Sequence, residues 1–409
     1  MRVRSGGYSG SGVERQGGEC WGIDPSGCFF VLSSGLGSEA ERASRGVCET
    51  VLHALLPHRA QIETMAADAR PDARQMLMRS LCGAMIRAEK SIMEYGVPED
   101  GLKLMASCDL VCLVHGTAYI AHVGDCRVYL LRGDTGRQLT IDHTVYERMR
   151  AQGRAEEECS AVVYKSRVVR ALGMGGGTEI DSLQVDLRQG DRLVMCSSGV
   201  HRYIHNATHL AQLYRTMEPQ RVSEYLVQYA LDRDSATSAS VICVEISDPG
   251  MRGSLLETDS RITALEQICF FRDLSYQEML QVMPITFERS FDGGEEIIHE
   301  GDDGEELYIL VDGRCEVSSG GVRIARLEPG CSFGELSLVD RQPRSATVVA
   351  LEACRVLVIR ATDFERLTLS GALAVKLLWN VAHELSARIR KSSETIRLQG
   401  AKLLENGIC

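Results

Sequence analysis

The sequence predicts an α+β protein of more than one domain, ending in a β-roll with C-terminal helices. Three observations predict it. Ser247-Asp-Pro-Gly-Met-Arg-Gly-Ser254 is polar, rich in Gly and Pro, and follows an apolar strand-like run, which marks a boundary near residue 250. Beyond it, short β-branched runs alternate with glycines, as in Phe291-Asp-Gly-Gly-Glu-Glu-Ile-Ile-His-Glu-Gly301, the pattern of a roll. After Asp363, the residues Leu367, Leu369, Ala372, Val375, Leu378, Trp379, Ala382 and Leu385 recur at helical spacing, which predicts helices at the end of that unit.

The length of 409 residues suits two or three domains. The net charge of −11 excludes general nucleic-acid affinity. No apolar run approaches a membrane span, and the N-terminus lacks the apolar stretch of a signal peptide. The fifteen cysteines sit mostly in apolar runs, such as Cys112 and Cys243, and no C-x-x-C pair occurs. They read as buried free thiols of a reduced, cytoplasmic protein with neither nucleic-acid nor membrane partners.

These signals divide the chain into residues 1–247, a linker over 248–267 with a helix predicted across 255–269, a second domain over 268–395, and a tail over 396–409. In the second domain Glu306–Asp312 reads as a strand ending at a turn, Cys315 begins the next, and Leu351–Ile359 is another. Glycines at 294, 301, 304, 313 and 330 read as its turns. The residues after 390 are too few for a winged helix-turn-helix unit, so DNA binding is not expected.

The strongest chemical signal runs from Phe333 to Val348. Gly334-Glu335-Leu336 opens a turn whose N–H groups can face an anion. Glu335 can accept hydrogen bonds from a ribose hydroxyl, Arg344 suits a phosphate diester, and Ser345 adds a hydroxyl and an N–H. The run resembles the phosphate-binding cassette of cyclic nucleotide-binding domains. The resemblance implies ligand contacts from Gly334, Glu335, Leu336, Arg344, Ser345 and Ala346. It also implies a preference for cyclic AMP over cyclic GMP, because serine rather than threonine follows the arginine. A closing helix would offer Trp379, His383 or Ser386 as the lid, although Trp379 reads more simply as core.

The N-terminal domain carries Ala118-Tyr-Ile-Ala-His-Val-Gly-Asp-Cys-Arg-Val-Tyr-Leu-Leu-Arg132, then Gln138-Leu-Thr-Ile-Asp-His-Thr144, Arg170-Ala-Leu-Gly173, and Gly190-Asp-Arg-Leu-Val-Met-Cys-Ser-Ser-Gly199. In this order they resemble the metal-dependent protein phosphatases of type 2C. The resemblance implies an α-β-β-α sandwich in which Gly124-Asp125 turns a hairpin. That family activates water between two Mg²⁺ or Mn²⁺ ions held by aspartates. At the corresponding positions this chain has Cys20, Ser34, Ser198 and Thr237, while Glu19 and a phosphate-contacting Arg15 remain. Without those carboxylates, little negative charge offsets the repulsion of two adjacent dications, so Mg²⁺ or Mn²⁺ binding and catalytic residues are not expected.

The combined expectation is a pseudophosphatase controlled by a cyclic nucleotide, with a phosphoprotein or kinase as its partner. Two alternatives stand beside it: an active, metal-dependent phosphatase using Glu19, Asp232 or Asp234, and a scaffold without ligand. His201, His205 and His209 are spaced to share a helix face, a pattern that can bind a transition metal or lie as a surface stripe. Gly173–Thr178 lacks a G-K-[ST] and reads as a turn.

Overall fold

The structure is a computed structural model. It describes residues 1–12, 18–67, 71–94, 103–152, 154, 158, 161–175, 177–234, 237–250, 262, 265–266, 268, 271, 274–334, 342–368, 373–380 and 382. The chain separates into two compact units, Met1–Thr258 with Leu280–Pro284, and Asp259–Met279 with Ile285–Cys409.

In the first unit the strands are β1 (Arg2–Ser11), β2 (Glu19–Ile23), β3 (Phe29–Leu36), β4 (Met105–Val114), β5 (Thr117–Val123), β6 (Arg127–Arg132), β7 (Thr135–Gln138), β8 (Asp181–Asp186), β9 (Arg192–Cys196) and β10 (Ser238–Asp248). The helices are α1 (Ala40–Leu55), α2 (Arg59–Ala67), α3 (Pro71–Glu94), α4 (Val145–Ala151), α5 (Val162–Ser166), α6 (Ser198–His201), α7 (Ala207–Tyr214) and α8 (Pro219–Leu231). Two antiparallel five-stranded sheets form, in the orders β1-β10-β9-β6-β7 and β2-β3-β4-β5-β8.

The pleat decides what each sheet face meets. On the second sheet, Phe29, Val31, Cys108, Leu110 and Cys112 pack in one core with Val47, Val51 and Leu55 of α1 and Leu81 and Met85 of α3. On the first, Val194, Cys196, Val241 and Cys243 pack with Leu210 of α7 and Val222 and Leu226 of α8. Phe30, Leu32, Ile120, Val128, Met195 and Ile242 are equally buried but belong to neither helix-covered core, so they fill the layer between the sheets. The α-β-β-α expectation is met. Each such side chain contributes about 1.5–3 kcal/mol on burial.

Two local expectations need correction. Gly124-Asp125 does not turn a hairpin: β5 lies in one sheet and β6 in the other, so the turn carries the chain across the sandwich. His201, His205 and His209 do not share a helix. The helix stops at His201, and Asn206 starts a new one by accepting from Thr208 N at 2.8 Å and His209 N at 3.4 Å. Gly173, Gly175 and Gly177 have positive φ, as expected of a turn.

Helix α9 (Tyr276–Val282) has residues in both units, and the second contains β11 (Thr286–Phe291), β12 (Glu296–Ile298), β13 (Glu306–Asp312), β14 (Cys315–Ser319), β15 (Val322–Leu327), β16 (Ser332–Phe333), β17 (Thr347–Ala350), β18 (Cys354–Arg360) and α10 (Ala361–Thr368). Its antiparallel sheets have the orders β11-β18-β13-β16 and β12-β17-β14-β15. Tyr308, Leu310, Cys315, Val348, Val356 and Val358 form their core. The strand expected from Leu351 begins only at Cys354. Gly294, Gly301, Gly313 and Gly330 take positive φ, whereas Gly304 does not. Residues 373–380 are helical and bury Leu373, Ala374 and Leu377. Val375, Leu378 and Trp379 lie on the opposite, exposed side, with Trp379 71% exposed. Trp379 is therefore not core, because the helix packs through a different stripe. His383, Ser386, the tail and most of the linker lie outside the described residues. Among the described residues no helix is long and apolar enough to cross a membrane.

Gly124 has φ +105°, and a Cβ there would stand 2.1 Å from Ser107 Oγ. Gly133 also has positive φ but has open space around it. Gly124→Ala should therefore lower unfolding free energy by more than the ~1 kcal/mol strain expected for Gly133→Ala. Equal urea midpoints for the two variants would contradict this account of the turn.

Candidate functional site

The first unit contains a cavity of about 1460 Å³. It opens where the two sheets end, because β2 and β3 from one sheet, and the starts of α6 and β10 from the other, deliver their ends to one place. Ser34, Ser198 and Thr237 all line it, with Glu19 and the first turn of α1. Three of the four positions expected to correspond to metal-binding aspartates are thus brought together. Cys20 is the exception. Glu19 pairs with Ser34 across β2 and β3, and Cys20 pairs with Ser33. Alternation turns Glu19 toward the cavity and Cys20 toward α1, where Cys48 Sγ donates to the Cys20 carbonyl at 3.2 Å. Asp232 and Asp234 are not among the lining residues. Asp232 accepts from Gln228 Nε2 at 2.6 Å, and Asp234 pairs with Arg202 at 3.5 Å. Arg15 lies outside the described residues.

Sequence reasoning treated Asp125 only as part of a turn, yet it lines the cavity. Ser107 Oγ donates to its Oδ1 at 2.7 Å, and the Asp125 N–H returns a bond to that hydroxyl at 3.1 Å. Burial raises its pKa above the ordinary carboxyl value, against the Ser107 hydrogen bond. His201 Nε2 donates to the Asp125 carbonyl at 2.7 Å. Burial, then the nearby Arg127, lowers His201 to about 4, so its imidazole is neutral. Arg127 grips Asp142 in bidentate fashion, at 2.8 and 2.7 Å. Against burial, that guanidinium holds Asp142 below the usual carboxyl value. The signals were present in the Gly-Asp-Cys-Arg and Ile-Asp-His-Thr runs, but nothing in the sequence says that the runs meet.

Behind the cavity a buried network fixes the turn. His143 N–H donates to the Gly124 carbonyl at 2.7 Å, and the Gly124 N–H donates to His143 Nδ1 at 2.9 Å. An accepting Nδ1 leaves the proton on Nε2, which faces Asp181 at 3.1 Å and lies against the Arg170 guanidinium that itself pairs with Asp181. His122 lies beside it with ring centroids 4.6 Å apart. Both His122 nitrogens face acceptors: Asp109 Oδ1 at 2.6 Å and the Ile141 carbonyl at 2.9 Å. Burial opposes charge on His122, but Asp109 raises its pKa, while burial raises that of Asp109 in turn; His143, lowered by burial, is neutral.

The cavity's charge is balanced. Six Arg and Lys side chains and six Asp and Glu side chains line it. Arg127, Arg45 and Arg150 engage Asp142, Glu41 and Glu147. Among the described residues no three His, Cys, Asp or Glu side chains converge as a metal cage.

In the second unit Arg344 is buried at 9% exposure. Its Nη1 donates to the Gly334 carbonyl at 2.9 Å and its Nη2 to the Glu306 carbonyl at 2.8 Å. Its own backbone is held at both ends, N–H to the Asp302 carbonyl and carbonyl to the Gly301 N–H, each at 2.8 Å. A Cβ on Gly304 would stand 1.9 Å from Arg344 Nε. That is what Gly304 is for: close approach of the backbone, not a turn. Gly334 has φ +75°. Ser345 is exposed and Ala346 half-buried. Glu335 and Leu336 lie outside the described residues.

Comparisons agree with this layout. Residues 288–370 match the cyclic nucleotide-binding domain, and residues 102–239 match protein phosphatase 2C. The chain is 37% identical over 101 residues to the cAMP-dependent protein kinase regulatory subunit of Yarrowia lipolytica, covering 25% of this chain and 27% of that protein. It is 34% identical over 120 residues to the serine/threonine phosphatase stp of Listeria innocua, covering 29% of this chain and 48% of that one. The chain therefore spans less than half the length of either relative. The crystal structure of the Mycobacterium tuberculosis serine/threonine phosphatase PstP/Ppp superimposes with a TM-score of 0.50 at 22% identity, over 60% of this chain and 99% of that one, which shows the fold. The chain carries a protein phosphatase 2C domain followed by a cyclic nucleotide-binding domain.

His143, buried and held to about 4 by that burial despite Asp181, gives a pH prediction. In the unfolded chain it protonates near 6.5. Between about 6.5 and 4 the unfolded state therefore binds the extra proton, and this contribution to stability falls as pH falls. Unfolding free energy should decline over that window in the wild type and less steeply in His143→Gln. Parallel pH profiles would refute the neutral assignment.

Proposed function

We propose that this protein senses a cyclic nucleotide through residues 268–395, and that occupancy regulates a phosphatase-fold domain, residues 1–247, that binds its partner without cleaving it. The observation that carries the sensor reading is Arg344, held beside Gly334 by main-chain carbonyls. A fixed guanidinium next to a positive-φ glycine suits a phosphate diester, which would replace contacts to neutral carbonyls with hydrogen bonds between opposite charges. Glu335 supplies the ribose contact and Ser345 a further donor. Serine at 345 favours cyclic AMP over cyclic GMP.

The donor set of the phosphatase-fold cavity does not fit a pair of divalent cations. Ser34, Ser198 and Thr237 offer neutral hydroxyls where dications need carboxylates. Asp125 is tied to Ser107, and Asp142 to Arg127. The cavity is instead suited to holding a phosphorylated protein segment among its arginines, with a kinase substrate or a kinase as the source. Regulation requires that the nucleotide-bound and free states differ in affinity for that partner.

Isothermal titration with cyclic AMP should show saturable binding. Arg344→Ala should weaken it by ~1.5–3 kcal/mol, about ten- to a hundred-fold. An unchanged dissociation constant in that variant would discard the site assignment, and no heat with either cyclic AMP or cyclic GMP would discard the sensor.

A further inference from the structure

Cys20 stands where the sequence pattern calls for an aspartate, but strand alternation turns it away from the cavity and onto α1. There it meets Cys48, which is 2% exposed. The Cys48 thiol donates to the Cys20 carbonyl at 3.2 Å, and the Cys20 side chain packs against the core cluster that holds Cys48. Of the two, Cys20 is the half-buried one and can be reached from solvent. Arg45, one turn before Cys48 on α1, places a guanidinium within electrostatic range of the same sulfur. The pair therefore has an accessible sulfur, a neighbouring thiol and a nearby cation, the arrangement that makes one thiol a nucleophile and the other a resolving partner.

We propose that Cys20 and Cys48 are an oxidisable dithiol, in which a hydroperoxide oxidises Cys20 and Cys48 closes a disulfide between β2 and α1. The Cys20 thiolate attacks the hydroperoxide, forming the S–O bond as the O–O bond breaks and an alcohol or water leaves. Cys48 sulfur then attacks the sulfenic sulfur of Cys20, forming the S–S bond and releasing water. The two thiols lose two electrons and two protons, and the hydroperoxide takes up both. The reaction is independent of nucleotide binding and of any phosphatase chemistry.

The thiol environment agrees with this division of labour. The neighbouring Cys48 thiol lowers the Cys20 pKa, burial opposes it, and Arg45 adds to the lowering against Glu49 and Glu41. Burial pushes the Cys48 thiol up, so it stays protonated until the sulfenic acid forms. Two other thiol pairs lie close together, Cys28 with Cys112 at 4.0 Å and Cys315 with Cys354 at 3.8 Å. Both members of each are buried, so neither offers a sulfur to the oxidant. They serve as internal controls. The bridge would join the strand that carries Glu19 to the helix that carries Arg45, and both of those residues line the cavity.

The test is treatment of the full chain with hydrogen peroxide, blocking of remaining thiols, and mass spectrometry of the unreduced digest. The expected product is a linked Cys20–Cys48 peptide pair that has lost two hydrogen atoms and is restored by a thiol reductant. Cys48→Ser should instead leave a sulfenic acid on Cys20 that a cyclic dione labels. Oxidation of Cys20 to sulfinic or sulfonic acid without a link in the wild type would overturn the proposal. So would linkage of Cys28–Cys112 or Cys315–Cys354 before Cys20–Cys48, or labelling of Cys48→Ser at any other cysteine.

Discussion

The paired hydrogen bonds between His143 and Gly124 are the constraint on which the N-terminal domain depends. They pin the turn that carries the chain from one sheet to the other. Gly124 is required there because its φ is positive and Ser107 leaves no room for a side chain. With the turn pinned, Asp125 reaches the cavity, Ser107 holds its carboxylate, and His201 holds its carbonyl. The clamp works only while His143 Nδ1 accepts. Its neighbour His122 instead presents both ring nitrogens to acceptors, Asp109 and the Ile141 carbonyl. One tautomer choice thus links sheet crossing, cavity wall and pH dependence.

The cavity lies in the phosphatase 2C domain, and its charges are balanced. A two-metal centre needs surplus carboxylate, and this cavity has as many cations as anions. Its carboxylates are largely engaged by arginines or by Ser107. The C-terminal domain solves the opposite problem. Its buried cation, Arg344, is oriented by main-chain carbonyls, those of Gly334 and Glu306. Gly304 permits that approach because it has no Cβ.

Much of this was legible in the sequence. The two-domain order, the roll, and the meeting of Ser34, Ser198 and Thr237 came with the family resemblances that the motifs carry. What escaped was direction. The placement of Cys20 depends on the pleat of β2, and Glu19, its neighbour, faces the other way. The histidine spacing suggested one helix, but Asn206 caps a new one. Trp379 fitted an apolar period, yet the helix packs through Leu373, Ala374 and Leu377 instead. Asp125 and Asp142 were quoted in motifs without a role, since their convergence is a tertiary fact.

The measurement that most directly tests the central claim, a phosphatase fold without its metal centre, is a calorimetric titration of Mn²⁺ into the purified full chain. The account predicts no saturable heat for the wild type. It predicts that uptake appears when carboxylates are supplied together, in the triple variant Ser34→Asp, Ser198→Asp, Thr237→Asp. Saturable Mn²⁺ uptake by the wild type, abolished by Glu19→Gln, would contradict it and make the cavity a working metal site.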